Sequence, residues 1–105
     1  MQRYPYTPLF LLEGTRWIRE AVRIPVIFVS GVLSLHHMEE ALRAGCPFVQ
    51  IGLPTVRDPG FVRRLRSGEI PESDCEQCNR CIAAMDADGV SCVSATRGLV
   101  PRDYW

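Results

Sequence analysis

Lysine is absent from this chain, and all twelve basic residues are arginine. Schiff-base chemistry and lysine-held phosphates are therefore excluded within it, so any anion has to be held by arginine or by backbone N–H groups. Net charge is lacking too, because twelve acidic residues balance the arginines. That removes the basic surface on which nucleic-acid binding depends, and no nucleic-acid partner is expected. No apolar run approaches the roughly 18 residues of a membrane span, and no charged start leads into an apolar run with a cleavage site. Neither a membrane partner nor a secretory leader is expected, and a cytoplasmic location is the default. Disorder is excluded by 47% hydrophobic against 23% charged residues.

What the 105 residues do contain is centred on Ile24-Pro-Val-Ile-Phe-Val-Ser-Gly31 and Phe48-Val-Gln-Ile-Gly52. Both are short β-branched and aromatic runs that lack polar alternation and stop at a glycine, the pattern of parallel strands buried on both faces. Between them Leu35, Met38, Ala41 and Leu42 recur at helical spacing, with Ser34 placed to cap the helix and Gly45 to end it. This is a βαβ unit of an α/β fold. A right-handed crossover would set Gly31 and Gly52 side by side at the carboxyl ends of neighbouring strands, the edge at which α/β proteins bind ligands. Backbone amides at Ser30 and Gly31 would there approach a phosphate. Two strands do not make a sheet, so the unit reads as part of a larger one.

Around this unit the chain falls into residues 1–72, a cysteine segment over 73–94 and a tail over 95–105. The opening, with Tyr4, Pro5, Tyr6 and Pro8, has loop composition. An amphipathic helix follows over 9–22, with Phe10, Leu11, Trp17, Ile18, Ala21 and Val22 on one stripe. Pro25 suits the first position of a strand. His36 and His37 read as partly exposed helix residues and Cys46 as a small core residue, none with a catalytic role. Asp58 followed by Pro59 marks a helix start, with Phe61, Val62 and Leu65 as its apolar face up to Gly68 and Arg63, Arg64 and Arg66 on its solvated side. The tail, ending at Pro101-Arg-Asp-Tyr-Trp105, carries no period and no motif.

Four of the five cysteines lie between Cys75 and Cys92. A short helix capped by Ser73 or Asp74 is expected to carry Cys75, Cys78 and Cys81, with a loop through Asp86, Asp88 and Gly89 returning Cys92. Gaps of two, two and ten residues suit four thiolates around Zn²⁺ or an iron-sulfur cluster, and the run of three plus one leans toward 4Fe-4S. Reduced thiols packed as small apolar groups are the alternative.

The order of these pieces, with Ala44-Gly-Cys-Pro-Phe-Val-Gln-Ile-Gly52, Arg57-Asp-Pro59 and Cys75-Glu-Gln-Cys-Asn-Arg-Cys81, resembles the end of the barrel in the Old Yellow Enzyme family. Within it, the branch with 2,4-dienoyl-CoA reductase and trimethylamine dehydrogenase is the most similar. The resemblance covers residues 9 to 94 and implies a C-terminal fragment of a (β/α)8 TIM barrel, strands 7 and 8 with their helices, followed by the cysteine segment. It implies FMN as cofactor, NAD(P)H as reductant and an activated alkene or similar acceptor. Carried over by position, Ser30, Gly31, Gly52 and Leu53 would hold the flavin phosphate, and Cys75, Cys78, Cys81 and Cys92 would ligate a 4Fe-4S cluster, with zinc as the alternative.

Departures from the family pattern are specific. Leu53 stands where an arginine usually holds the FMN phosphate, and one lost charged hydrogen bond costs on the order of 1.5 to 3 kcal/mol. Ser30 replaces a glycine, Pro47 an aspartate, and the loop before Cys92 is short. The strands that carry the catalytic acid and the nicotinamide contacts lie outside this sequence. The isolated chain is therefore expected to be inactive, and a complementary barrel chain or an oligomer is the expected partner. The reading from another class is a small four-cysteine metal-binding or interaction module.

Overall fold

The computed structural model describes residues 7–93. Tyr4, Pro5 and Tyr6 of the opening loop, and the 95–105 tail, lie outside the described residues.

In chain order the elements are α1 (Leu12–Ala21), β1 (Ile27–Phe28), α2 (Leu35–Arg43), β2 (Phe48–Val49), α3 (Leu53–Arg57), α4 (Phe61–Arg66) and α5 (Arg80–Asp88). β1 and β2 pair in parallel, Ile27 opposite Phe48 and Phe28 opposite Val49. The ladder continues with Gln50 N–H donating to Phe28 O at 2.8 Å. The βαβ unit is thus present, with strands shorter than the apolar runs suggest.

Local chemistry sets the ends of α2. Ser34 Oγ accepts from His37 N–H at 3.2 Å, satisfying one of the unpaired amides of the first turn. At the other end Gly45 takes φ +95°, Gly45 N–H donates to Leu42 O and Cys46 N–H to Ala41 O, a Schellman motif. Its apolar contact is supplied by Ala41 and Cys46, both fully buried in the core with Phe28 and Val32. Leu9, Leu12, Val26, Met38, Val49 and Ile51 pack around that core.

The strands are covered on one side. Phe28 is buried, whereas Ile27 is 57% and Phe48 62% exposed. The expected burial of both faces is therefore met on the α2 side alone among the described residues. α1 differs similarly from its reading. Its apolar residues Trp17 and Ile18 face solvent; Leu12 at its start packs against the core, and Arg19 Nε donates to Gly45 O at 2.8 Å.

Three element boundaries depart from the sequence reading. A helical turn, α3, follows Gly52 directly, with Pro54 in its first turn, where a missing N–H breaks no helical bond. Asp58 acts one step early: its Oδ1 accepts from Gly60 N–H at 2.9 Å and its O from Phe61 N–H, so α4 begins at Phe61 rather than Pro59. The last helix starts at Arg80, not at the first cysteine, because Gln77 and Asn79 adopt φ of 55° and 60°, which interrupts any helix through residues 75–79. Asp86 and Asp88 consequently belong to α5 and not to a loop.

Candidate functional site

The residues after the two strands meet. Ser30 and Gly31 beyond β1, and Gly52 and Leu53 beyond β2, line one cleft of about 590 Å³, the size of a small-molecule site. Val29, Val32, Ile51 and Pro54 make its walls mostly apolar, and Phe10 closes it from the segment before α1. Ser30, Gln50, Gln77 and Asn79 supply the polar side chains, and among the described residues no ionisable side chain lines it.

Gln77 and Asn79 arrive from the cysteine segment, which sequence reasoning had kept separate from the strand ends. Backbone pairing brings them there. Ser73 N–H donates to Leu33 O at 2.8 Å, and Ser34 bridges to Glu72 in antiparallel fashion. The segment that precedes the cysteines is thereby fixed beside the end of β1. An asparagine between two cysteines carried the available signal, since Asn accepts left-handed backbone more readily than other non-glycine residues.

Gly31 also has a purpose in the fold itself. At φ +55° a Cβ would lie 2.6 Å from Leu9 N, so glycine is required by the chain's own residues 7–9, which cross over it. Leu9 N–H donates to Gly31 O at 3.3 Å, and Leu11 N–H donates to Ser30 Oγ at 3.3 Å.

Beside the cleft, Cys75, Cys78, Cys81 and Cys92 line a second cavity together with Arg57 and Asp74. Arg57 grips both ends of the segment. Nε and Nη2 donate to the Asp74 carboxylate at 3.2 and 3.0 Å, and Nη1 to Cys92 Sγ at 3.5 Å. The hydrogen bond to Asp74, and then that to Cys92, hold the guanidinium more firmly protonated than usual, while the same bond lowers the Asp74 carboxyl. Burial pushes the Cys75 and Cys81 thiols up, and the neighbouring cysteines add to the shift. Leu53 and Asn79 line both cavities and form the wall between them.

The cysteine cavity measures about 20 Å³, room for about one water. Among the described residues no three His, Cys, Asp or Glu side chains come together closely enough to hold a metal ion. Thiolates suit zinc and iron-sulfur clusters, and the cysteines as placed here do not form a closed ligand set for either. His36 is exposed, and His37 Nδ1 accepts from Leu33 N–H at 3.0 Å, a structural role. Arg64 pairs with Asp58 and Glu69. Among the described residues no helix is long and apolar enough to cross a membrane.

No family model matches the chain, and no solved structure does. Three curated proteins are similar to it. A 4,4'-dithiodibutanoate disulfide reductase of Rhodococcus erythropolis is 31% identical over 90 residues, 86% of this chain and 22% of the reductase. A bilirubin reductase of Mediterraneibacter gnavus is 33% identical over 82 residues, 76% of this chain and 12% of that protein. A phosphoribosyl imidazole-4-carboxamide isomerase of Thermus thermophilus is 30% identical over 81 residues, 77% of this chain and 32% of the isomerase. The chain spans less than a third of each of these relatives. Its sequence is thus linked to segments of two oxidoreductases, and the shared segment also occurs in an isomerase.

Proposed function

We propose that the chain forms the flavin-holding strand end of an FMN-dependent NAD(P)H oxidoreductase barrel, with β1 and β2 as its last two strands. One observation carries the reading: the residues after two neighbouring parallel strands converge on a single, mostly apolar cleft large enough for a cofactor. Similarity to two reductases supports it, as does the bare side of the sheet, where Ile27 and Phe48 suit contact with further strands.

A bound flavin supplies the transfer of two electrons from a reduced nicotinamide to an acceptor. The chain's own part is to bind and to exclude water. Val29, Ile51, Leu53 and Phe10 offer apolar surface to a planar ring, and the carboxamides of Gln50, Gln77 and Asn79 offer donors and acceptors to its polar edges. None of the lining side chains acts as an acid or base near neutral pH, so proton transfer to an acceptor falls to groups outside this segment. The reading therefore predicts binding without turnover.

The test is titration of the purified chain with FMN, followed by quenching of flavin fluorescence. Saturation at one site per chain is expected, with no NAD(P)H oxidation above the rate of free FMN. Absence of saturable binding up to about 1 mM, the range of a binding free energy near −4 kcal/mol, refutes the reading.

A four-cysteine metal module is the second reading, favoured by the presence of all four cysteines along the lining of one cavity. Iron, sulfide and zinc analysis of anaerobically purified wild type and Cys78→Ser separates the two. Stoichiometric metal lost in the variant, in a chain without flavin affinity, supports the module.

A further inference from the structure

We propose that the cleft binds flavin without recognising its phosphate, so that riboflavin is held as tightly as FMN. The proposal rests on the flavin reading and specifies its ligand class: a planar, uncharged ring system with a hydroxylated side chain.

The argument is one of missing countercharge. A phosphate leaving water needs cations or several convergent donors, or its desolvation opposes binding. Among the described residues the cleft contains no ionised side chain, and the place after the β2 glycine is taken by Leu53. A nearby guanidinium, Arg57, lines the cysteine cavity and not the cleft, with three of its nitrogens engaged by Asp74 and Cys92.

Backbone does not replace the charge. Pro54 has no N–H to offer at the start of α3. That helix has five residues, too few to present a developed positive end. The side of Gly31 that lacks a Cβ is filled by residues 7–9 and is closed to an anion. What the cleft does offer, neutral carboxamides and the Ser30 hydroxyl, suits carbonyl, imide and hydroxyl groups.

Parallel titrations of the purified chain with riboflavin and FMN decide it. The expected dissociation constants agree within about threefold, and that for FMN is unchanged by salt between about 0.05 and 0.5 M, because no ion pair is present to be screened. Leu53→Arg, which also removes apolar cleft lining, is read by the ratio of the two ligands: it is expected to shift the preference toward FMN over riboflavin by about ten- to a hundredfold. A wild type that prefers FMN by about tenfold or more overturns the proposal and leaves the flavin reading standing. Failure of both flavins to bind overturns both. If Leu53→Arg does not fold, as read by circular dichroism, the wild-type ratio and its salt dependence decide alone.

Discussion

Replacing Gly31 by alanine should cost about 3 kcal/mol, shared between left-handed backbone and a crossing of backbones. At φ +55° an alanine pays roughly 1 to 2 kcal/mol for left-handed backbone. Its Cβ would then sit 2.6 Å from Leu9 N, a main-chain atom that cannot swing aside as the tip of a flexible side chain does. Residues 7–9 must lift, which breaks the Leu9 N–H bond to Gly31 O, worth roughly 0.5 to 1.5 kcal/mol. Lifting also draws Leu9 partly away from the core it packs against. Since small domains have only about 5 to 15 kcal/mol in total, the loss is large. Urea unfolding followed by circular dichroism measures it. With a slope near 1 kcal/mol per molar, the midpoint should fall by about 2 to 3 M. Gly52→Ala is the control: its φ is negative and a Cβ there meets nothing within 4 Å, so stability should change by less than about 0.5 kcal/mol. A Gly31→Ala midpoint within about 0.5 M of wild type would refute the crossing as the reason for glycine.

The remaining predictions are smaller. Gly14 lies within α1 with open space around it, so Gly14→Ala should raise stability by up to about 1 kcal/mol, read from the same urea curves. Burial, then the neighbouring His36, lowers the His37 pKa, with Glu72 opposing them. A lowered folded-state pKa gives stability that is present above the ordinary histidine value of 6.5 and lost as pH falls through the folded value. Unfolding midpoints should therefore drop on acidification below that value, and His37→Gln should flatten this part of the profile. In mass-resolved alkylation with iodoacetamide under reducing, metal-free conditions, exposed Cys78 should react first and buried Cys46 last. Cys75 and Cys81, with thiols pushed up by burial, should fall between them, and equal rates for Cys78 and Cys46 would contradict the placement of the segment.

Short-range chemistry was legible from the sequence, and the assembly of surfaces was less so. Ser34 caps α2 and Gly45 ends it because the hydroxyl and the missing Cβ act within three residues of where they stand. The meeting of Ser30, Gly31, Gly52 and Leu53 also followed, since two parallel strands joined by one helix must end at the same edge. α3 was hidden by Pro54, which reads as a loop signal although a first helical turn accepts it. The cysteine helix was started too early because capping chemistry at Ser73 is real: Ser73 Oγ accepts from Cys75 N–H at 3.1 Å, but it closes a turn instead of opening a helix. Exposure was the least legible property. Ile27, Phe48 and Trp17 carry the signature of burial, and a sequence records that signature without naming the surface that provides the cover.

The wall formed by Leu53 and Asn79 means that any coupling between the two cavities has to be reciprocal. An occupant of the cysteine cavity that displaces either residue alters the affinity of the cleft by some factor, and a ligand in the cleft must then alter the affinity of the cysteine cavity by the same factor. Substitution at either position alters the lining of both cavities at once.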